Sequence, residues 1–332
     1  MKKVYLSFIL LLMFAISGFS QDLPKITVEG NNFVKNGEAF IFRGYSCADP
    51  DQVERGGHWN AEFFAEMKAW GANIVRFPIH PRAWRARGQK DYLALLDTGV
   101  KLAREQGLYV IMDWHSIGNL RTEMYQSDGY ETTQKETFEF WRTMAKHFKG
   151  NNTVAFFELF NEPTTYNGQL GSCTWEHWKE LTEEMIGIVR ANGGTAIPLV
   201  AGFNWAYTLK DVKENPIDAE GIAYVSHPYP QKTDDWNTDW ESDWGYVADN
   251  YPLILTEIGF SLKDERGAHI PVISDASYGE AITKYTASKG ISYVAWVFDD
   301  RWAPAMFSDW NYTPTTQGKY FKAAMRKQNR MD

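Results

Sequence analysis

The feature that most constrains the fold is a repeat. Short runs of β-branched and aromatic residues alternate with longer amphipathic stretches along the whole chain. Eight such runs stand out: Ala39–Arg43, Asn73–Phe77, Tyr109–Asp113, Val154–Leu159, Pro198–Gly202, Ile222–Ser226, Pro252–Thr256 and Ser292–Val297. They are near-continuously apolar, as parallel strands buried on both faces must be. Between them the period changes to that of a helix. In Asp91–Arg104, residues Tyr92, Leu95, Leu96, Val100 and Ala103 fall near i, i+3, i+4 spacing. Thr133–Phe148 and Trp175–Arg190 behave alike. Gly71, Gly107, Gly150, Gly193 and Gly290 each precede a strand, where a left-handed residue is needed to end the helix and turn the chain back. Eight βα units predict an α/β fold, a (β/α)8 TIM barrel. A doubly wound open sheet shares the repeat and is the alternative. Ile26 to Phe42 reads as an N-terminal β-hairpin leading into the first strand, with Asn36-Gly37 as a turn.

The N-terminus is of another kind. A basic Met1-Lys2-Lys3 precedes an apolar run from Val4 to Ile16, then small residues Ser17-Gly18-Phe19-Ser20. This is the pattern of a cleaved secretory signal peptide, expected over residues 1–20, and the run is short for a membrane span. The expected product is secreted or periplasmic, with no membrane anchor. Residues 21–332 show no linker and no compositional break, so a single domain is expected, acting as a monomer. The chain is 44% hydrophobic, enough for a full core without a disulfide framework, and whether Cys47 and Cys173 pair is left open. A net charge of −8 argues against a nucleic-acid partner. Fourteen tryptophans are unusual for this length; several must be core, and flat rings also stack well on the C–H faces of sugars.

On a barrel of this kind the functional residues lie where the strands end. Those ends carry Arg76-Phe77-Pro78, Asp113-Trp114-His115, Asn161-Glu162-Pro163, His227-Pro228-Tyr229, Glu257 and Trp296. Glu162 and Glu257 follow the fourth and seventh strands, nearly opposite in the ring. Two facing carboxylates can split a sugar acetal: one protonates the leaving oxygen, and the other attacks the anomeric carbon or activates water. Glu158, inside the fourth run, shares a face with Glu162 if the strand stays regular, and is either a second acid or an ion-pair partner for Arg76. His115 and His227 have a competing reading as core histidines. A metal site built from them has no His-Glu-x-x-His support, so no metal or cofactor is expected. Trp84, Trp205, Trp236, Trp240 and Trp302 are loop candidates for sugar platforms, and Pro230–Trp244 for a wall of the cleft.

Taken in order, Asn73-x-x-Arg76-x-Pro78, Asp113-Trp114-His115, Asn161-Glu162-Pro163, His227-x-Tyr229, Glu257 and Trp296 resemble glycoside hydrolase family 5, the cellulase family. The resemblance runs from about Phe33 to Phe321. It implies a retaining endo-β-glycanase acting on a β-1,4-linked polysaccharide or oligosaccharide, with Glu162 as acid/base and Glu257 as nucleophile. It implies substrate-site roles for Arg76, His115, Asn161, His227, Tyr229 and Trp296. Arg76 is expected to hold the pKa of Glu257 down, Tyr229 to donate to it, and Asn161 to bind the sugar 2-hydroxyl. His115 and His227 are expected to meet hydroxyls, with Trp296 as the floor. A β-mannanase, an exo-acting β-glycosidase and a non-catalytic carbohydrate-binding barrel are the alternatives.

Overall fold

The computed structural model describes residues 22–330. The expected signal peptide lies outside the described residues. Eight parallel strands close into a barrel: β1 (Arg43–Cys47), β2 (Ile74–Ile79), β3 (Tyr109–Trp114), β4 (Val154–Glu158), β5 (Ile197–Ala201), β6 (Ala223–Val225), β7 (Leu253–Ile258) and β8 (Ser292–Phe298). The ring follows chain order and closes by pairing β8 with β1, Val294 opposite Gly44.

Six of the seven crossovers carry a helix of two turns or more, α1 (Ala61–Ala69), α2 (Gln89–Glu105), α3 (Gln134–His147), α4 (Trp175–Ala191), α5 (Trp236–Asp243) and α6 (Ala276–Lys289), and α7 (Thr316–Gln328) follows β8. Their starts are fixed by side-chain caps, such as Thr133 accepting from the Glu136 amide and Thr174 from that of His177. Gly290 ends α6 in the left-handed region at φ 68°, the role expected of it. The crossover from β5 to β6 differs, with only a left-handed turn at Phe203–Ala206 and a single 3-10 turn at Lys210–Lys213. Its Asn215-Pro216 and Gly221 interrupt any helical run.

The first strand is also displaced from the expected Ala39–Arg43. Asn36 and Gly37, at φ 55° and 81°, turn the chain so that Glu38–Ala39 pairs back onto Asn32–Lys35. With Ile26–Glu29 these segments form a three-stranded antiparallel sheet under the barrel. From it Phe33 packs edge-on against Phe42 and Phe156 at 5.6 and 5.0 Å, closing the base.

The barrel interior is layered by the period-2 alternation of strands. Ile74, Ile111, Phe156, Ile254 and Val294 belong to the buried apolar interior. Two residues further along the same strands stand Arg76, Asp113, Glu158, Thr256 and Trp296. The charged layer therefore rests on an apolar one. Cys47 and Cys173 are both free thiols.

Candidate active site

Arg76 is the hub of the charged layer and is wholly buried. Its Nε and Nη2 donate to the two oxygens of Glu158 at 2.7 and 3.1 Å. Nη1 donates to Glu257 at 2.9 Å, and Nη2 also meets Asp113 at 2.9 Å and Asn161 Oδ1 at 2.6 Å. A guanidinium this deep is tolerable only when so fully paired. No donor is left for a substrate, so Arg76 acts on the site through its neighbours. Sequence reading posed Glu158 and Glu257 as competing partners for Arg76, and the structure gives it both.

Glu162 is not on the continuation of β4. That strand stops at Glu158, and the chain crosses toward β3: the amides of Asn161 and Glu162 donate to the carbonyls of Trp114 and Ser116. Glu162–Pro163 then pairs in parallel with Ile117–Gly118. This break separates the two glutamates that strict alternation placed on one face. Glu158 stays inside the barrel, while Glu162 reaches the cleft.

His227 is wholly buried at the end of β6, with both ring nitrogens engaged. Nδ1 lies 3.0 Å from Glu162 Oε1, and Nε2 lies 2.8 Å from the Thr256 hydroxyl, which donates to Glu158 at 2.7 Å. No nitrogen remains for a sugar hydroxyl, so the structure places His227 behind Glu162 rather than against a substrate. Burial alone would lower its pKa, but Glu257, Glu158 and Glu162 outweigh burial and push it up to about 9. Burial likewise works against the ionised form of Glu158, and Arg76 with the hydrogen bond from the His227 side overcomes it, holding Glu158 at about 2.

Glu257 is 5% exposed and Glu162 8%. Tyr229 donates its hydroxyl to Glu257 Oε2 at 2.8 Å. Sequence reading expects Arg76 to keep the Glu257 pKa low. The net direction is upward instead: burial dominates, His227, Arg76 and the Tyr229 hydroxyl oppose it, and Glu162 adds to it. Arg76 does pull it down, but burial of the carboxylate outweighs that pull.

One oxygen of Glu162 and one of Glu257 lie within 4.8 Å of each other. With His227 they form the one trio of metal-ligating type and spacing found among the described residues. The trio fits a cation poorly. A metal needs a neutral imidazole, whereas His227 is held as the imidazolium, and Arg76 already sets a positive charge against Glu257.

These groups open into a cleft of about 700 Å³. On one side Trp296 lies nearly parallel to His115, ring centres 5.4 Å apart, with Trp302 5.7 Å from Trp296. His115 Nδ1 is fixed by Asp113 at 2.7 Å. Burial, then His80, Arg76 and His227, keep its pKa well below the ordinary range, so the ring is neutral. Asn161 lines this cleft, and its buried Nδ2 has no hydrogen-bond partner among the described residues. On the other side stand Trp205, Tyr166, Gln126 and Lys232.

Among the loop candidates, Trp205 lines the cleft and Trp302 stands behind Trp296. Trp84 and Trp240 are buried in helices, and Trp236 stacks on Trp240. Pro230–Trp244 contributes only its first residues to the wall, because α5 folds the rest onto the body of the protein. Sequence reading had Lys232 only as part of the Pro230–Trp244 wall and Thr256 only as the end of a strand, and did not single out Gln126 or Tyr166. Each lies on a connection or inside an apolar run with no motif to mark it.

Residues 33–301 match the family model described as cellulase, glycosyl hydrolase family 5. The chain is 46% identical to a β-glucanase of Saccharophagus degradans, solved in complex with cellotetraose. That match covers 93% of this chain and 95% of that one, with a TM-score of 0.91. It is 26% identical over 218 residues to Endoglucanase A of Butyrivibrio fibrisolvens, covering 62% of this chain and 45% of that protein, so it spans less than half of that relative. The catalytic domain of a Thermobifida fusca endoglucanase, 18% identical, shares the fold with a TM-score of 0.74 over 91% of this chain and 97% of that one.

Proposed function

The chain belongs to glycosyl hydrolase family 5, and from that premise we propose that it is a retaining endo-β-1,4-glucanase working by double displacement. The observation that carries the reading is the approach of Glu162 and Glu257 oxygens to within 4.8 Å. Retention calls for carboxyl groups about 5–5.5 Å apart, whereas inversion needs about 6.5–9.5 Å to admit a water.

In the first step a Glu257 oxygen attacks the anomeric carbon while the bond from that carbon to the glycosidic oxygen breaks. Glu162 gives its proton to the departing oxygen. In the second step Glu162, now a carboxylate, takes a proton from water, the water oxygen attacks the same carbon, and Glu257 leaves. Two inversions give net retention. Three groups favour the ionised Glu257 needed at the start: Arg76, Tyr229 and the His227 cation. His227 Nδ1–H donates to one Glu162 oxygen, which leaves the other to carry the transferable proton. The free Asn161 Nδ2 is placed to donate to a sugar hydroxyl, a bond that strengthens as charge develops. Trp296 and His115 form the floor under the reacting sugar.

The β-glucan substrate class is supported by the Saccharophagus degradans β-glucanase and its cellotetraose complex. A panel of carboxymethylcellulose, mixed-linkage β-glucan, xyloglucan and mannan, with product sizing, tests it. A spread of cello-oligosaccharides from the glucans is expected. Mannan as the preferred substrate, or a single short product throughout, would overturn the endo-glucanase assignment. We further infer that residues 1–20 are a signal peptide and that the rest is one barrel domain, exported as a monomer. N-terminal sequencing of the exported protein should then begin at Gln21.

A further inference from the structure

Lys232 has no part in the double displacement, yet it faces the same cleft. It ends the short 3-10 segment Pro230–Lys232, directly after Tyr229. Its Nζ donates to the Asn204 carbonyl at 3.1 Å and sits 4.8 Å from the centre of the Trp205 ring.

The segment that receives it is strained. Asn204, Trp205 and Ala206 are all left-handed, with φ of 57°, 54° and 56°. Non-glycine residues adopt that region only at a cost, and such strain collects where a site must be held. Here it is over-determined. Trp205 Nε1 donates to Gln126 at 2.8 Å, and the His227 amide donates to the Ala206 carbonyl at 2.9 Å. The strained turn thus ties Lys232 and Trp205 to the strand end that also carries His227.

Position around the ring says which sugar this wall meets. Glu162 follows β4, Trp205 follows β5 and Lys232 follows β6. Trp296, Trp302 and His115 lie on the β8 and β3 side. The reacting sugar rests on Trp296, so the sugar that leaves, protonated by Glu162, extends toward β5 and β6. An ammonium has three N–H donors, and one is used by Asn204. We propose that Lys232 is a specificity-determining residue for the departing saccharide, donating its remaining N–H groups to that sugar's hydroxyls. The inference rests on the glucanase reading above.

The test compares two leaving groups. A cello-oligosaccharide releases a hydroxyl-bearing sugar, whereas an aryl β-cellobioside releases a phenol with none to offer. For Lys232→Met, the ratio of kcat/KM on cellotetraose to kcat/KM on the aryl cellobioside should fall about tenfold or more, as losing a charged donor to a hydroxyl implies. A ratio is indifferent to the fraction of enzyme that folds, and Lys232→Gln measured alongside should show the same fall. A ratio within about twofold of wild type in both variants overturns the role of Lys232 while the glucanase reading stands, since wild type turns over both substrates. Wild-type enzyme inactive on both substrates overturns that reading and this one together.

Discussion

The lower and upper halves of this barrel are built from the same strands and behave as opposites. Below, Phe33, Phe42, Phe156 and Tyr109 meet edge to face with ring centres about 5 Å apart. Higher on the strands, Arg76, Asp113, Glu158, Glu257 and His227 crowd into one hydrogen-bonded set. The lower layer buries area and asks only for shape. The upper layer holds several charges out of water, which is costly unless each is paired. The apolar floor provides the rigidity that fixes where those charges stand, and the charges set the protonation states on which chemistry depends.

The comparison can be broken from either side. The largest effects should come from the two carboxylates themselves. Glu257→Ala should lower kcat/KM on soluble β-glucan by on the order of 10⁴-fold or more. Glu162→Ala should lower it by about 10²–10⁴-fold. Full activity in either variant would remove the basis of the mechanism. Arg76→Met comes next. It strips the shared cation from three buried carboxylates, and urea unfolding should show a loss of about 3–5 kcal/mol together with loss of activity.

Phe42→Ala attacks the floor alone. It should cost a similar amount of stability, about 3–5 kcal/mol, but leave kcat of the folded enzyme within about twofold. A large fall in its kcat would show that the layers are not separable in this way. The smallest effect is expected from Tyr229→Phe. The hydroxyl favours ionised Glu257, so its loss raises a pKa that burial already lifts. The acid limb of the kcat/KM profile should move to higher pH, by up to about one unit, with the alkaline limb in place. An acid limb that stays put or moves down would contradict the role given to Tyr229.

Much of this was legible in the sequence because it follows from local rules. Apolar runs, helix periodicity and the glycine stops gave the barrel and placed Glu162, Glu257, Arg76, His115, Asn161, Tyr229 and Trp296 at strand ends. What escaped depends on non-local geometry. The departure of the chain after Glu158 is decided by pairing with Ile117–Gly118, which no period records. The role of His227 was misread because its neighbours, Thr256 and Glu158, come from two other strands. The pull of Arg76 on Glu257 was legible, but the burial that outweighs it depends on the packing of the whole site. Trp205 could be named as a candidate, but the left-handed turn that aims it lies in the β5–β6 connection and the lysine fixed against it in the β6–β7 connection, where no repeating pattern marks either.

The central claim is that Glu257 bonds covalently to the sugar in the course of hydrolysis. A 2-deoxy-2-fluoro-β-cellobioside with an activated leaving group slows the second step and lets that bond accumulate. Mass spectrometry of the intact protein, followed by peptide mapping, reads the result. One fluorocellobiosyl group per chain, carried on Glu257, is predicted. A label on any other residue, or steady turnover with no labelled protein and an inverted product, would contradict the account.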